Sequence, residues 1–251
     1  MIRKMNPTIN YPEIEEKITK WLKQQLKKSG CTGYVIGISG GIDSSVTSVL
    51  CRRATDATLG LILPCGYSSA EDIDDARALA KHFDIEFRIY DLTPVYEIFL
   101  TRLDLQTDTP ITIPLANIKA RLRMVALYYE SNRLNRLVAG TSNRTELTLG
   151  FFTKYGDGGV DLLPLGGFLK HEIRGLADYL GIPEKIISKT PSPGLWPGQT
   201  DEGELGASYD QLDALISGET PQGLTEEEIQ KFQKRIADNK HKRQLPPVGP
   251  R

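Results

Sequence analysis

Three observations predict an α/β fold, a doubly wound parallel sheet with helices on both faces. Apolar runs of strand length alternate with segments of helix length from residue 12 to residue 90. A turn rich in glycine and serine follows the first apolar run. Glycine- and proline-rich segments then crowd the second half of the chain, as functional loops at strand ends do.

The elements follow in order. Ile14, Ile18, Leu22 and Leu26 recur every four residues with Lys and Glu between them, which predicts an amphipathic helix over 12–28. Gly30 is its stop signal. Tyr34-Val35-Ile36-Gly37-Ile38 reads as a buried strand, and residues 43–54 resume as a helix. Residues 58–63 form a second apolar strand. Ser69 is placed to cap a helix over 69–82, with Glu71 and Asp72 complementing the dipole of its first turn. Ile85, Phe87 and Ile89 alternate as in a half-buried strand over 85–90. A long helix near 115–131 leads to an apolar strand at Leu137-Val138-Ala139. Helices near 170–180, 207–217 and 224–238 close the chain. Right-handed crossovers between the parallel strands place helices on both sheet faces. No internal repeat or separating linker is visible, so residues 1–251 are expected to form a single domain.

Bulk composition narrows the function. The 251 residues carry 31 Lys+Arg against 32 Asp+Glu, a formal charge of −1, which argues against a nucleic-acid-binding surface. Cys31, Cys51 and Cys65 are odd in number, and no pair has zinc-site spacing. Reduced thiols in a cytoplasm are the expectation. No apolar run approaches the roughly 18 residues that span a bilayer, and no targeting segment is visible, so neither a membrane nor export is expected.

The turn after the first strand carries the chemistry. It reads Gly37-Ile38-Ser39-Gly40-Gly41-Ile42-Asp43-Ser44-Ser45. Gly40 and Gly41 let the backbone approach an anion, and the helix that follows offers unpaired N–H groups to it. Ser39, Ser44 and Ser45 add hydroxyl donors. Asp43 repels a phosphate unless a magnesium ion lies between them. The turn lacks the Lys-Ser/Thr ending of a Walker loop and does not match G-x-G-x-x-G. It does fit the G-x-S-x-G elbow of α/β-hydrolases, with Ser39 as nucleophile. A hydrolase needs a histidine partner, and His82, His171 and His241 are the three available. No oxyanion segment of the HGGG type precedes the turn. The plainest alternative is a tight strand–helix turn with no ligand.

The string Ser39-Gly40-Gly41-Ile42-Asp43-Ser44 resembles the SGGxDS loop of the ATP pyrophosphatase (PP-loop) superfamily. Asn117-Ile118-Lys119-Ala120-Arg121-Leu122-Arg123-Met124 resembles the NIKARxRM segment of the NAD synthetase family within it. Gly140-Thr141-Ser142-Asn143-Arg144-Thr145-Glu146 is similar to that family's GTxxxxE segment. Gly150-Phe151-Phe152-Thr153-Lys154-Tyr155-Gly156-Asp157-Gly158-Gly159-Val160-Asp161 is similar to its GFFTKYGDGGxD segment, and His241-Lys242-Arg243 to its closing HKR.

The resemblance implies an adenine nucleotide alpha hydrolase-like fold and ATP-dependent amidation of nicotinic acid adenine dinucleotide (deamido-NAD) to NAD. The nicotinate carboxylate attacks the α-phosphate, pyrophosphate leaves, and ammonia displaces AMP from the acyl-adenylate. About 30 residues precede the first strand, too few for the amidase domain of glutamine-using members, so ammonia is the expected donor. The family is homodimeric, with the dinucleotide near the subunit interface.

By the same resemblance, Gly37, Ile38, Ser39, Gly40, Gly41, Ile42, Asp43, Ser44, Thr141, Lys170 and Ser192 bind ATP. Asp43 and Glu146 hold Mg2+. Arg121, Lys154, Asp161, His241 and Lys242 hold deamido-NAD. Lys170 stabilises charge in the transition state, and Asp157 orients or deprotonates ammonium. Each has a plainer reading: a solvated helix-start carboxylate for Glu146, a surface cation for Lys170, a strand-end cap for Thr141, a turn-shaping acid for Asp157, and a frayed basic tail for His241-Lys242-Arg243. Some relatives carry Pro-Thr where this chain has Pro191-Ser192, a departure that leaves a hydroxyl in place. Gly194–Glu202 is expected to be a mobile loop that orders over ATP. A GMP synthetase-like or tRNA-modifying PP-loop enzyme, or a non-catalytic nucleotide sensor, is the remaining alternative. A tRNA enzyme would be more basic and often carries paired cysteines.

Overall fold

The structure is a computed structural model that describes residues 9–66, 68–105, 110, 112–192, 194, 196 and 198–250. The chain opens with helix α1 (Tyr11–Ser29), strand β1 (Gly33–Gly37), helix α2 (Ile42–Ala54), strand β2 (Thr58–Ile62), helix α3 (Ala70–His82) and strand β3 (Glu86–Ile89). Helices α4 (Thr93–Arg102) and α5 (Ile113–Leu134) lead to strand β4 (Arg136–Val138). Helices α6 (Arg144–Leu149), α7 (Lys170–Leu180), α8 (Glu184–Ile187), α9 (Asp201–Leu205), α10 (Tyr209–Ser217) and α11 (Glu226–Asp238) follow, with a closing 3-10 turn at Asn239–Arg243.

Gly30 and Ser69 act where the sequence predicts, and Asn10 adds a start signal beyond those expected. The Asn10 side chain accepts from the amide of Glu13, and Gly30 ends α1 with φ of 72°. Ser69 caps α3 by accepting from Asp72 N.

The four strands are parallel and ordered β3-β2-β1-β4. Successive side chains of β1 point to opposite faces. Tyr34 and Ile36 join a core with α1, α2, α3 and α7, whereas Val35 packs with Leu59, Leu61 and Leu63 against Ala126 and Leu127 of α5. Burial on both faces explains why β1 reads as a continuous apolar run. A third cluster joins Cys65, Tyr96 and Leu100 to Leu115 of α5, and a fourth joins Leu149, Leu205, Leu212 and Phe232 near the C-terminus.

The winding creates a crevice. From β1 the chain moves outward through α2 and α3 to β2 and β3, then returns through α5 to β4 on the other side of β1. The carboxyl ends of β1 and β4 therefore diverge side by side, where open α/β sheets bind ligands.

Three expectations change. β3 is the sheet edge: Ile85 is buried just before it, but Ile89 is exposed, so the alternation marks a strand with one open side. α4 lies in a stretch with no helix expected. The last part of the expected loop 194–202 is ordered: Thr200 accepts from Gly203 N at 3.1 Å to cap α9, and Gln199 and Asp201 are buried.

A charged clamp joins α3 to the segment after α7. Buried Asp75 accepts from Lys185 at 2.8 Å and also from Lys189, which reaches Asp72 at 2.8 Å and Gly40 O at 3.4 Å. Burial pushes the Asp75 carboxyl up, but the two lysines outweigh it and hold the pKa below the ordinary value. A lowered folded pKa contributes stability that is present above the unfolded pKa and is lost as pH falls through the folded one. Asp75→Asn is therefore expected to lower stability at pH 7, and the gap to the unmodified protein to narrow below about pH 4. Urea denaturation across that range measures it.

Candidate active site

The phosphate turn is pre-shaped at the end of β1. Gly40 has φ of 80°, and a Cβ there would lie 2.4 Å from Asp72 O, so only glycine fits. Ser39 Oγ and Ser44 Oγ are 2.9 Å apart, and Ser39 Oγ accepts from Gly41 N at 3.3 Å. Ser44 and Ser45 donate to Gly41 O at 3.0 and 2.8 Å. No side chain caps α2 at Gly41, which leaves its first amides open to an anion. The hydrolase reading fails here. None of the three histidines is placed as a partner of Ser39: His171 Nδ1 lies 2.9 Å from Asp213, His82 packs edge-on to Phe83, and His241 sits in the closing turn against Lys154.

A buried ion cluster sits between the ends of β1 and β4. Lys170 opens α7 and is 1% exposed, which rules out the surface-cation reading. Its ammonium bonds Asp43 Oδ2 and lies 3.7 Å from Glu146 Oε1. Asn143 holds the other Asp43 oxygen at 3.2 Å. Burial opposes charge on Lys170, yet Asp43 and Glu146 together hold its pKa above the ordinary value. Glu146 is the third residue of α6 and does two jobs. Its Oε2 accepts from Asn143 N at 3.2 Å in a capping box, and its Oε1 faces Lys170 and the Tyr209 hydroxyl. Burial and the charge of Asp43 raise its pKa, with Lys170 opposing.

Two further members of this cluster lie outside the expected set. Tyr209 places its ring 4.8 Å from Lys170 Nζ and donates to Asp201 Oδ2 at 2.6 Å. Asp201 is 5% exposed, and burial raises its carboxyl pKa. A Tyr eight residues after an Asp in a glycine-rich segment has no periodicity that announces a site.

The second half of the crevice is built on α5 and the loop 150–161. Asn117 accepts from Thr153 Oγ1 at 2.6 Å, and Arg121 donates to Lys154 O at 3.3 Å, so the helix face that carries both meets this loop. Arg123 points the other way and donates to Leu63 O at 3.0 Å. Asp157 is solvent-exposed and accepts from Thr153 N at 2.9 Å, a bond within its own turn. Surrounding protein still crowds its carboxyl, and that desolvation raises its pKa. Asp161 accepts from Tyr128 at 2.9 Å and from Val138 N at 2.7 Å, tying the loop to β4.

The closing basic turn is docked, not frayed. Lys242 donates to Gly150 O at 2.7 Å and Phe152 O at 2.9 Å, and Lys154 donates to His241 O at 2.9 Å. The turn thus braces the loop 150–161 from outside. Thr141 is half-buried after β4, beside Asn143 and Glu146 in sequence. Ser192 is exposed and accepts from Gly194 N at 3.1 Å.

Known proteins match this arrangement along nearly the whole chain. The NAD synthase family model matches residues 14–246. The ammonia-dependent NAD+ synthetase of Carboxydothermus hydrogenoformans is 45% identical over 244 residues, which is 96% of this chain and 98% of that protein. Among solved structures, NMN synthetase from Francisella tularensis superposes with a TM-score of 0.90 at 35% identity, covering 96% of this chain and 99% of that one. The ammonia-dependent NAD synthetase of Campylobacter jejuni superposes with a TM-score of 0.80 at 30% identity, covering 97% and 100%. With the phosphate turn, the Asp43–Lys170–Glu146 cluster and the α5 face in place, this chain belongs to the NAD synthase family.

Proposed function

We propose that the chain amidates the nicotinate carboxylate of deamido-NAD with ammonia, at the expense of ATP, to give NAD, AMP and pyrophosphate. The observation that carries this reading is the open α2 N-terminus set against the Asp43–Lys170–Glu146 cluster. The nicotinate oxygen attacks the α-phosphorus, and the bond to the bridging oxygen breaks toward the β-phosphate. The amides of Ile42 and Asp43 and the hydroxyls of Ser39 and Ser44 receive the departing pyrophosphate. Thr141 and Ser192 contribute hydroxyls to ATP. The ammonia nitrogen then attacks the acyl carbon, AMP leaves with the bond electrons, and the nitrogen gives up a proton. Asp157 takes that proton in this reading; its raised pKa, which supports the role, makes it a better base than an ordinary carboxylate.

Asp43 and Glu146 would hold Mg2+. Their hard carboxylate oxygens flank Lys170, a donor chemistry that fits this cation. When bound, the ion neutralises charge on the leaving pyrophosphate. Arg121 and the loop 150–161, braced by Lys154, Asp161, His241 and Lys242, hold the dinucleotide.

The active unit is a homodimer. Val95, Ile98, Phe99 and Leu103 form an exposed apolar face along α4 and just past its end, and Ile113, Val125 and Tyr129 extend exposed apolar surface along α5. Arg121, Val125 and Tyr129 share one stripe of α5 at four-residue spacing, which sets the dinucleotide side beside that surface. Residues 1–251 act as one synthetase domain. The protein works in the cytoplasm: Cys31, Cys51 and Cys65 are free, and no helix among the described residues is long and apolar enough to cross a membrane.

A second reading keeps the chemistry and changes the substrate to nicotinic acid mononucleotide. The fold similarity to the Francisella tularensis NMN synthetase favours it. Both nucleotides carry the same carboxylate and differ in the adenylate half.

Both substrates, with ATP, Mg2+ and either ammonium or glutamine, decide the matter in one assay. NAD formation with ammonium and not with glutamine is expected; release of pyrophosphate with neither nucleotide would sink both readings. Asp43→Ala is expected to lower kcat by about a hundredfold or more with the circular dichroism unchanged. Arg121→Ala should raise the KM for deamido-NAD about tenfold and leave that for ATP unaltered. Ile98→Glu is expected to shift the sedimenting mass from dimer to monomer; an unaltered mass counts against the α4–α5 interface.

A further inference from the structure

Helix α10 presents Tyr209 and Asp213 one turn apart on the same face. Tyr209 touches the ion cluster directly, through the Lys170 ammonium and Glu146 Oε1. Asp213 touches the chain neighbours of those same two residues. Its Oδ1 accepts from the hydroxyl of Thr145, which precedes Glu146 in α6. Its Oδ2 accepts from His171 N at 3.0 Å and lies 2.9 Å from His171 Nδ1, and His171 follows Lys170 in α7. Asp213 is 3% exposed, and both of its oxygens are engaged. One buried carboxylate thus spans the first turns of two helices that share no strand and lie more than twenty residues apart in sequence.

We propose that Asp213 is a positioning residue that sets the spacing of Glu146 against Lys170. α6 is only six residues long and has few intrahelical bonds to hold its register. Its capping box orients it toward Asn143, Arg144 N bonds Phe168 O just ahead of α7 at 2.8 Å, and Glu146 approaches Lys170 only to 3.7 Å, so a tighter link between α6 and α7 comes from a third element. Asp213 supplies that link. Its charge is also favourably placed at the N-terminus of α7, where the first amides lack helical partners. Removing the link frees α6 to move against α7. A displacement of about 1 Å at reacting groups costs on the order of a hundredfold in rate. The loop 150–161 follows α6 directly, but it has anchors of its own on α5 and on the closing turn, which hold it apart from this brace.

The inference rests on the proposed adenylation at this cluster, and two readouts keep the two ideas apart. The variants are Asp213→Asn, Thr145→Val, which deletes the hydroxyl, and Thr145→Ser, which keeps it. Asp213→Asn and Thr145→Val are expected to lower kcat about tenfold or more, with the KM for the nicotinate nucleotide within about twofold of the unmodified value. Thr145→Ser is expected to retain most of kcat. The second readout is the rise in melting temperature produced by magnesium pyrophosphate, which needs no turnover. That rise should shrink in the first two variants and persist in Thr145→Ser. If Thr145→Val or Asp213→Asn melts lower but keeps both kcat and the full pyrophosphate response, Asp213 is a stability residue and the proposal is overturned. Should the unmodified chain amidate neither nucleotide, the functional reading falls, while an unequal pyrophosphate response among the variants still upholds the brace.

Discussion

A lysine buried between two carboxylates organises this molecule. A buried ammonium is tolerated only with close, hydrogen-bonded partners, and removing one partner of such a pair costs about 3–5 kcal/mol. Lys170 comes from α7, Asp43 from the start of α2 and Glu146 from α6. The demand for neutrality therefore draws together elements that follow β1, that follow β4, and that lie beyond the sheet altogether. Tyr209 and Asp201 complete the enclosure, and burial keeps the phenol protonated as a donor. The cluster closes the floor of the crevice at the point where the winding of the sheet opens it.

The rest of the crevice is shaped by cations bonded to backbone carbonyls. Lys154, Lys242 and Arg243 spend their donors on His241, on Gly150 and Phe152, and on Leu147. Each such bond fixes a loop that has no regular secondary structure of its own. The 150–161 loop thus gains its form from α5 on one side and from the closing turn on the other. Lys189 does the same for the phosphate turn, where it meets Gly40 O and the acids of α3. A loop held this way can present Asp157 at a set position without a strand or helix beneath it, beside Arg121 of α5.

Individual residues show why part of the site was legible and part was not. Asp43 is legible because a carboxylate in a glycine-serine turn makes little sense without a cation. Glu146 is ambiguous from its own context, since the same residue is a good capping-box member, and it proves to fill both roles with different oxygens. Lys170 looks like any helix-start lysine until the fold buries it. Asp201 follows a glycine-proline run that reads as loop, and Asp213 sits in a helix whose other acid, Asp210, faces water. Ile89 errs in the opposite direction: its place in an alternating strand predicts burial, but it ends β3 at the sheet edge, beyond which no strand pairs among the described residues.

The amino-acid order by itself determined the strand–helix alternation, the helix signals at Ser69 and Gly30, the phosphate turn and the family motifs. These depend on periodicity and on residues close in sequence, where backbone geometry is local. The short helices α6 and α9 and the enclosure of Lys170 were decided by packing between distant segments. So was the pairing of Asp213 with Thr145 and His171, 68 and 42 residues away. Burial converts an ordinary charge into a constraint, and burial is a property of the assembled layers, not of any stretch of chain.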